Sequence, residues 1–158
     1  MKSAFIDTSA LASILFKEPA YPAVLNILEG LETVSASCLL EAEIRSAAVR
    51  ESINQGDVDG VLSKVEWVLP DRPLSHEIRS IVSKGIPLRG AELWHLACAL
   101  YLAGDPANLP FVTLDGGQAG AAERLGFKVL PAVSPRSSGA REPQAVYGAK
   151  KSRGKVHA

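Results

Sequence analysis

From Ser3 to Leu130, short β-forming runs take turns with segments of helical spacing, and this alternation is what most constrains the chain. The run Ser3-Ala-Phe-Ile6 is apolar and is followed at once by Asp7-Thr8-Ser9, three residues of helix-capping type. Ala10 to Phe16 then carries leucines at 11 and 15, so the reading is strand, sharp turn, helix. Pro22 suits the first turn of a second helix running to about Leu31. Thr33-Val-Ser-Ala36 reads as a short strand. Ser37 is the expected cap of a longer helix through Leu39, Leu40, Ile44, Ala47 and Ala48, ending near Asn54-Gln55-Gly56. The pattern then repeats. Asp57 to Lys64 reads as helix, Val65 to Leu69 as strand and Ser75 to Lys84 as helix. Gly90 to Ala103 is the most apolar helix, Phe111 to Leu114 a strand, Gln118 to Leu125 a helix and Phe127 to Leu130 a last strand. Such alternation within one domain predicts an α/β fold, a parallel sheet of about five strands covered by helices on both faces.

Charge divides the chain. The net charge of zero comes from 17 Lys and Arg against 17 Asp and Glu. Residues 134–158 hold 6 of the basic residues and a single acid, Glu142, which leaves 11 against 16 in residues 1–133. Ser134-Pro-Arg-Ser-Ser-Gly-Ala-Arg-Glu-Pro143 and Lys150-Lys-Ser-Arg-Gly-Lys155 lack hydrophobic periodicity, and such a stretch buries too little apolar surface to offset its ordering entropy. The expected organisation is one domain over residues 1–133 and a disordered basic tail over 134–158. Cys38 and Cys98 sit among apolar neighbours without a CxxC spacing and read as reduced core residues. The apolar run after Lys2 is interrupted by Asp7 and lacks a clean cleavage site, and no stretch reaches the ~18 apolar residues of a membrane span. A cytoplasmic protein with no membrane partner is expected.

Four acids stand where acids are informative. In an open parallel sheet, ligands bind beyond the carboxyl ends of the strands. Asp7 directly follows the first strand and Asp115 directly follows Phe111-Val-Thr-Leu114. Glu43 lies in Leu39-Leu-Glu-Ala-Glu-Ile-Arg45 and Glu92 in Gly90-Ala-Glu-Leu-Trp-His-Leu-Ala97, mostly apolar helices where charge is costly. Each has an ordinary alternative. Asp7 also suits a helix cap, Asp115 an Asp-Gly turn, Glu92 an exposed first-turn acid, and Glu43 a surface partner of Arg45 or Arg50. Joint occurrence at the expected places favours a site.

With these residues in view, the chain resembles the PIN-domain family, specifically the toxin ribonucleases of type II (VapBC-type) toxin–antitoxin systems. The matching segments are Phe5-Ile-Asp-Thr-Ser-Ala-Leu11, Ser37-Cys-Leu-Leu-Glu-Ala-Glu-Ile-Arg-Ser-Ala47, Leu88-Arg-Gly-Ala-Glu-Leu-Trp-His-Leu-Ala-Cys-Ala-Leu100, and Val112-Thr-Leu-Asp115 with Ala121-Ala-Glu-Arg-Leu-Gly126. The resemblance implies a three-layer α/β/α domain, Mg²⁺ or Mn²⁺ in the site, cleavage of single-stranded RNA, and a homodimer neutralised by an antitoxin protein. It makes Asp7, Glu43, Glu92 and Asp115 the acidic, metal-binding quartet, with Thr113, and secondarily Thr8 or Ser9, adding hydroxyls. The third acid of the family is usually Asp, so Glu92 is one methylene longer than the pattern. Glu41 is a rival for the second acid, although the interval from Ser37 favours Glu43. His95 stands three residues after Glu92, within reach of the site, at a position where the family has a packing histidine.

Chemistry supports metal apart from the name. Four like charges in one place repel, so without a cation at least one acid should keep its proton. Hard divalent cations with oxygen ligands relieve that repulsion, and no Cys or His cluster points to zinc. A haloacid-dehalogenase-type phosphohydrolase would need an Asp where Ser9 stands. A structure-specific DNA nuclease would need a helical arch that this length leaves no room for. A non-catalytic RNA-binding or assembly module remains the alternative from another class.

The tail generates the first prediction. Each phosphate contact made by its basic residues should steepen the salt dependence of single-strand binding by roughly 0.7 log units per log salt. Truncation after Val133 is expected to weaken RNA binding at low salt and flatten that slope. An unchanged slope in a filter-binding titration would show the tail to be inert.

Overall fold

The computed structural model describes residues 2–131, so the expected tail lies outside the described residues. Five strands form one sheet: β1 (Ser3–Ile6), β2 (Thr33–Ser37), β3 (Val65–Val68), β4 (Phe111–Val112) and β5 (Val129–Leu130). Their order is β3-β2-β1-β4-β5, and every neighbouring pair is parallel. Seven helices connect them: α1 (Thr8–Leu15), α2 (Tyr21–Glu29), α3 (Leu39–Arg50), α4 (Gln55–Leu62), α5 (Ser75–Val82), α6 (Gly90–Ala103) and α7 (Gly116–Arg124). The chain steps outward from β1 through β2 to β3, then returns to lay β4 on the other side of β1. The switch point therefore falls between β1 and β4.

The period of two along each strand sorts the side chains into two cores. Ala4 and Ile6 of β1, Val34 and Ala36 of β2 and Val112 of β4 pack with Leu11, Val24, Leu40, Ile44 and Val58 from α1–α4. Phe5, Val68, Phe111 and Val129 face the other way, onto Ile81, Leu96, Ala119 and Ala122 from α5–α7. The result is three layers, α/β/α. Phe5 stacks on Phe111 with ring centroids 5.6 Å apart, and Phe111 meets Phe127 at 5.8 Å. Buried side chains of this size each stabilise the fold by about 1.5–3 kcal/mol, which makes the aromatic row a principal clamp between β1 and β4.

Several local expectations shift. The strand expected over Phe111–Leu114 stops at Val112, because side chains take the backbone donors that a longer ladder would use. The N–H of Leu114 donates to Ser9 Oγ at 2.9 Å and that of Asp115 to Thr113 Oγ1 at 3.0 Å. The last strand contracts to Val129–Leu130. Ser37 is not a helix cap. It ends β2, α3 starts at Leu39 behind Cys38 with no side-chain cap, and the Ser37 hydroxyl goes to a histidine instead. Of the two free thiols, Cys98 is buried as expected and burial pushes it up to about 12. Cys38 is exposed, at the turn where the chain leaves the sheet. Among the described residues no helix is long and apolar enough to cross a membrane.

The link from β3 to α5 is tied down by charge. Arg72 donates to both carboxylate oxygens of the buried Glu77, at 2.6 and 3.1 Å, and its guanidinium lies 5.2 Å from the Tyr101 ring centroid. The Arg72 hydrogen bonds hold Glu77 down to about 2. A depressed carboxylate contributes stability above its ordinary value of 4.5 and loses it as pH falls towards about 2. Glu77→Gln is therefore expected to be less stable than the parent at pH 7, by an amount that solvent around the half-exposed Arg72 keeps modest. Urea titrations should show a smaller difference at pH 3; an equal difference at both would mean that packing, not charge, holds this loop.

Candidate active site

Two strand-to-helix junctions meet where β1 and β4 end. The N–H of Asp7 donates to the Val112 carbonyl at 3.1 Å, locking the first residue after β1 onto its neighbour. Asp7 is 2% exposed. Its Oδ1 accepts from the Ala10 N–H at 3.1 Å, capping α1, and from the Ser9 hydroxyl at 2.8 Å; its Oδ2 accepts from the Thr113 hydroxyl at 2.8 Å. Since Ser9 and Thr113 also accept from the Leu114 and Asp115 N–H groups, the two hydroxyls stitch the junctions together. Asp115 caps α7 by accepting from the Gln118 N–H at 2.7 Å. Burial outweighs the hydrogen bonds from Ala10, Ser9 and Thr113 and raises Asp7 from 3.8 to about 6.

Glu43 comes from α3, on the opposite side of the cleft. Its Oε2 accepts from the Thr8 hydroxyl at 2.5 Å and from His95 Nε2 at 2.8 Å. The His95 hydrogen bond, with a smaller contribution from Thr8, lowers Glu43 below the ordinary carboxylate range. His95, on α6, is 2% exposed and turns its Nδ1 to the Ser37 hydroxyl at 2.8 Å. Glu92, in the first turn of α6, folds back so that Oε2 accepts from the Arg89 N–H at 2.8 Å. The extra methylene relative to Asp gives it that reach.

Asp7, Glu43, Glu92 and Asp115 line one cleft of about 190 Å³, together with Thr8, Ser9, Arg89, Ala91, His95 and Gln118. It adjoins a second hollow of about 370 Å³ that shares Arg89, Glu92 and Asp115 and continues to Pro87 and Gly117. A larger surface hollow, about 1070 Å³, lies between the ends of α1, α3 and α4 and holds none of the four acids. Size does not mark the site; converging carboxylates do. Glu41, the rival second acid, is ion-paired at 2.8 Å with Arg45, which also holds Asp59, and does not line the cleft. Thr113, the expected hydroxyl, is fully buried behind Asp7.

The four acids share the cleft without forming a finished cage. Among the described residues, no group of three or more His, Cys, Asp or Glu side chains stands close enough to hold a metal ion. Glu43 and Glu92 are turned to protein donors. One polar atom is left over: the buried Gln118 Oε1 has no hydrogen-bond partner among the described residues. Such an orphan costs about 1–3 kcal/mol unless a guest or water satisfies it. Reading the sequence placed His95 near the site without its bond to Glu43, and missed Ser37, Arg89 and Gln118 as site residues. A histidine inside an otherwise apolar helix was the signal for the first. Nothing local announces the others.

An acid-lined α/β/α domain, with its cleft at the switch point of a parallel sheet, is the class that fold and site define. The family model for the PIN domain matches residues 4–123, and the chain belongs to that family. No curated protein matches the sequence closely enough to count as a relative. Among solved structures, the chain is similar to VapBC2 from Rickettsia felis bound to a DNA fragment from its promoter. That match has a TM-score of 0.56 at 19% identity, over 80% of this chain and 96% of that one. VapBC-1 from nontypeable Haemophilus influenzae gives 0.57 at 14%, over 80% and 96%. VapC20 from Mycobacterium tuberculosis, a toxin that cleaves the sarcin-ricin loop, gives 0.55 at 15%, over 75% and 94%. At such identities the likeness is one of fold.

Asp7 provides the next prediction. A buried acid whose native value is raised keeps its contribution below the unfolded value and loses it as pH rises through the folded one. Metal-free protein should therefore lose stability between pH 3.8 and about 6, by up to about 3 kcal/mol. Asp7→Asn should remove that slope and be the more stable protein at pH 7. Urea titrations in chelator at four pH values across the window test this, and a variant with the parent's slope would overturn it.

Proposed function

We propose that this PIN domain, residues 1–133, is an endoribonuclease dependent on Mg²⁺ or Mn²⁺ that cuts single-stranded regions of RNA. In this reading it acts in the cytoplasm as the toxin of a type II toxin–antitoxin pair, a homodimer neutralised by an antitoxin protein. The observation that carries the reading is the gathering of Asp7, Glu43, Glu92 and Asp115, from four separate stretches of chain, in one cleft at the sheet's switch point. Structural neighbours solved as VapBC assemblies, and one described as a sarcin-ricin loop cleaving toxin, support it.

In donor chemistry the four carboxylates suit a hard divalent cation. Carboxylate oxygens are its preferred donors, and Mg²⁺ typically needs only one or two of them beside water and substrate phosphate. A cation would stabilise the ionised form of Asp7, whose burial otherwise favours the proton, and its water shell would give the orphaned Gln118 Oε1 a partner. Asp7, Glu43 and Asp115 would hold the ion, with Glu92 joining once it leaves the Arg89 N–H. The bound ion supplies activation of water and neutralisation of phosphodiester charge. The protein's share is positioning: Ser9 and Thr113 fix the Asp7 carboxylate, and the α7 cap fixes Asp115. The arrangement of Glu92 favours a second reading, a non-catalytic RNA-binding module, in which its carboxylate serves only the start of α6.

Metal response and cleavage separate the two. Saturating Mn²⁺ at ~100 times its dissociation constant should add about 2.7 kcal/mol to the parent's stability, visible as a rise in Tm. Asp7→Asn should lose most of that rise and fall steeply in cleavage of single-stranded RNA. Glu92→Gln should lose most cleavage, while Glu92→Asp should keep a measurable share with an altered preference between Mg²⁺ and Mn²⁺. A parent that binds RNA but never cuts it in either metal would establish the binding module.

A further inference from the structure

We propose that His95 is a positioning residue that fixes one oxygen of Glu43 and leaves the other for the cation, an inference that rests on the metal-dependent reading above. The geometry is a chain of three groups from three elements. Ser37 ends β2, His95 lies in α6 and Glu43 in α3, with 2.8 Å at each link. Both Ser37 and His95 are shut away from solvent, at 0% and 2% exposure.

For a neutral ring, the hydrogen-bond geometry decides the roles. Neutral imidazole has one N–H donor and one bare acceptor nitrogen. A carboxylate accepts only, so the N–H belongs on Nε2, facing Glu43. Nδ1 is then the acceptor, and the Ser37 hydroxyl, whose hydrogen-bond partner among the described residues is this nitrogen, donates to it. Every proton in the chain has an acceptor in this assignment. The reverse tautomer would set a bare Nε2 against a carboxylate and leave the Ser37 proton without a place.

Two consequences follow. His95 is not itself a metal ligand, since Nε2 carries a proton and Nδ1 is sealed against β2. And both donors to Glu43, the His95 Nε2–H and the Thr8 hydroxyl, converge on Oε2. Oε1 accepts no hydrogen bond among the described residues and is the oxygen left to the cation. Carboxylates that ligate metals are commonly oriented by such outer hydrogen bonds, and losing one typically costs about 10- to 100-fold in metal affinity or activity.

The test compares two replacements. His95→Phe fills the space and removes the donor, whereas His95→Gln retains an amide N–H in reach of Glu43. Mn²⁺ affinity, measured directly by electron paramagnetic resonance of the free ion, should fall about 10- to 100-fold in His95→Phe and return most of the way in His95→Gln. Cleavage should follow the same order. A packing role predicts the reverse, with His95→Phe binding Mn²⁺ like the parent, and that result would overturn the proposal. Glu43→Gln keeps the two readings apart. If it binds Mn²⁺ like the parent, the metal site itself is wrong; if it loses Mn²⁺ while His95→Phe does not, only the positioning role fails. Nitrogen NMR of the metal-free parent, taken where the ring is neutral, holds even if His95→Phe does not fold. It should show a pyrrole-like Nε2 and a pyridine-like Nδ1, and the opposite assignment would refute the mechanism.

Discussion

A single carboxylate, buried where two parallel strands end side by side, is the constraint around which the domain is arranged. Asp7 holds β1 to β4 through its backbone, starts α1 through one carboxylate oxygen and receives Thr113 on the other. Each bond answers part of the cost of placing an ionisable group at 2% exposure, and burial still wins. A fold seeking stability alone would place an amide or an apolar group here. An acid retained in so costly a position is accounted for by the cation site proposed above.

The other acids reach the cleft because the two helical layers close over the same edge of the sheet. Glu43 belongs to the layer built on Ala4, Ile6 and Val112, and His95 to the layer built on Phe5 and Phe111. They meet beyond the strand ends, where neither layer is interrupted by the sheet. The alternation along β1 thus serves both layers, with Ala4 and Ile6 in the core that takes Ile44 of α3 and Phe5 in the core that takes Leu96 of α6.

Much of this was legible in the chain. Strand-to-helix order, the position of Asp7 and Asp115 after their strands, and the apolar character of α6 all follow from capping residues and periodicity within a few positions. Other features were misjudged for identifiable reasons. Ser37 has the composition of a helix cap and was expected to be one, yet its hydroxyl finds a better partner in His95, 58 residues along the chain. Phe111 to Leu114 has the composition of a longer strand, but the hydroxyls of Ser9 and Thr113 claim the backbone donors. Cys38 sits among apolar neighbours in sequence and at the surface in space.

What the sequence by itself determined is local: the kinds of elements, their order, and the acids that sit at element ends. Hydrogen bonds and side-chain periods act over a turn of helix or a few strand residues, and one sequence displays them in full. Only the tertiary structure decided which strands are neighbours, and therefore that Asp7 and Asp115 share an edge although 108 positions separate them. It also decided that Glu43 faces the cleft while Glu41 faces Arg45, and that Glu43 is held by a buried histidine. Those choices come from burying both faces of the sheet at once, a condition that couples every element and that no single stretch of chain carries.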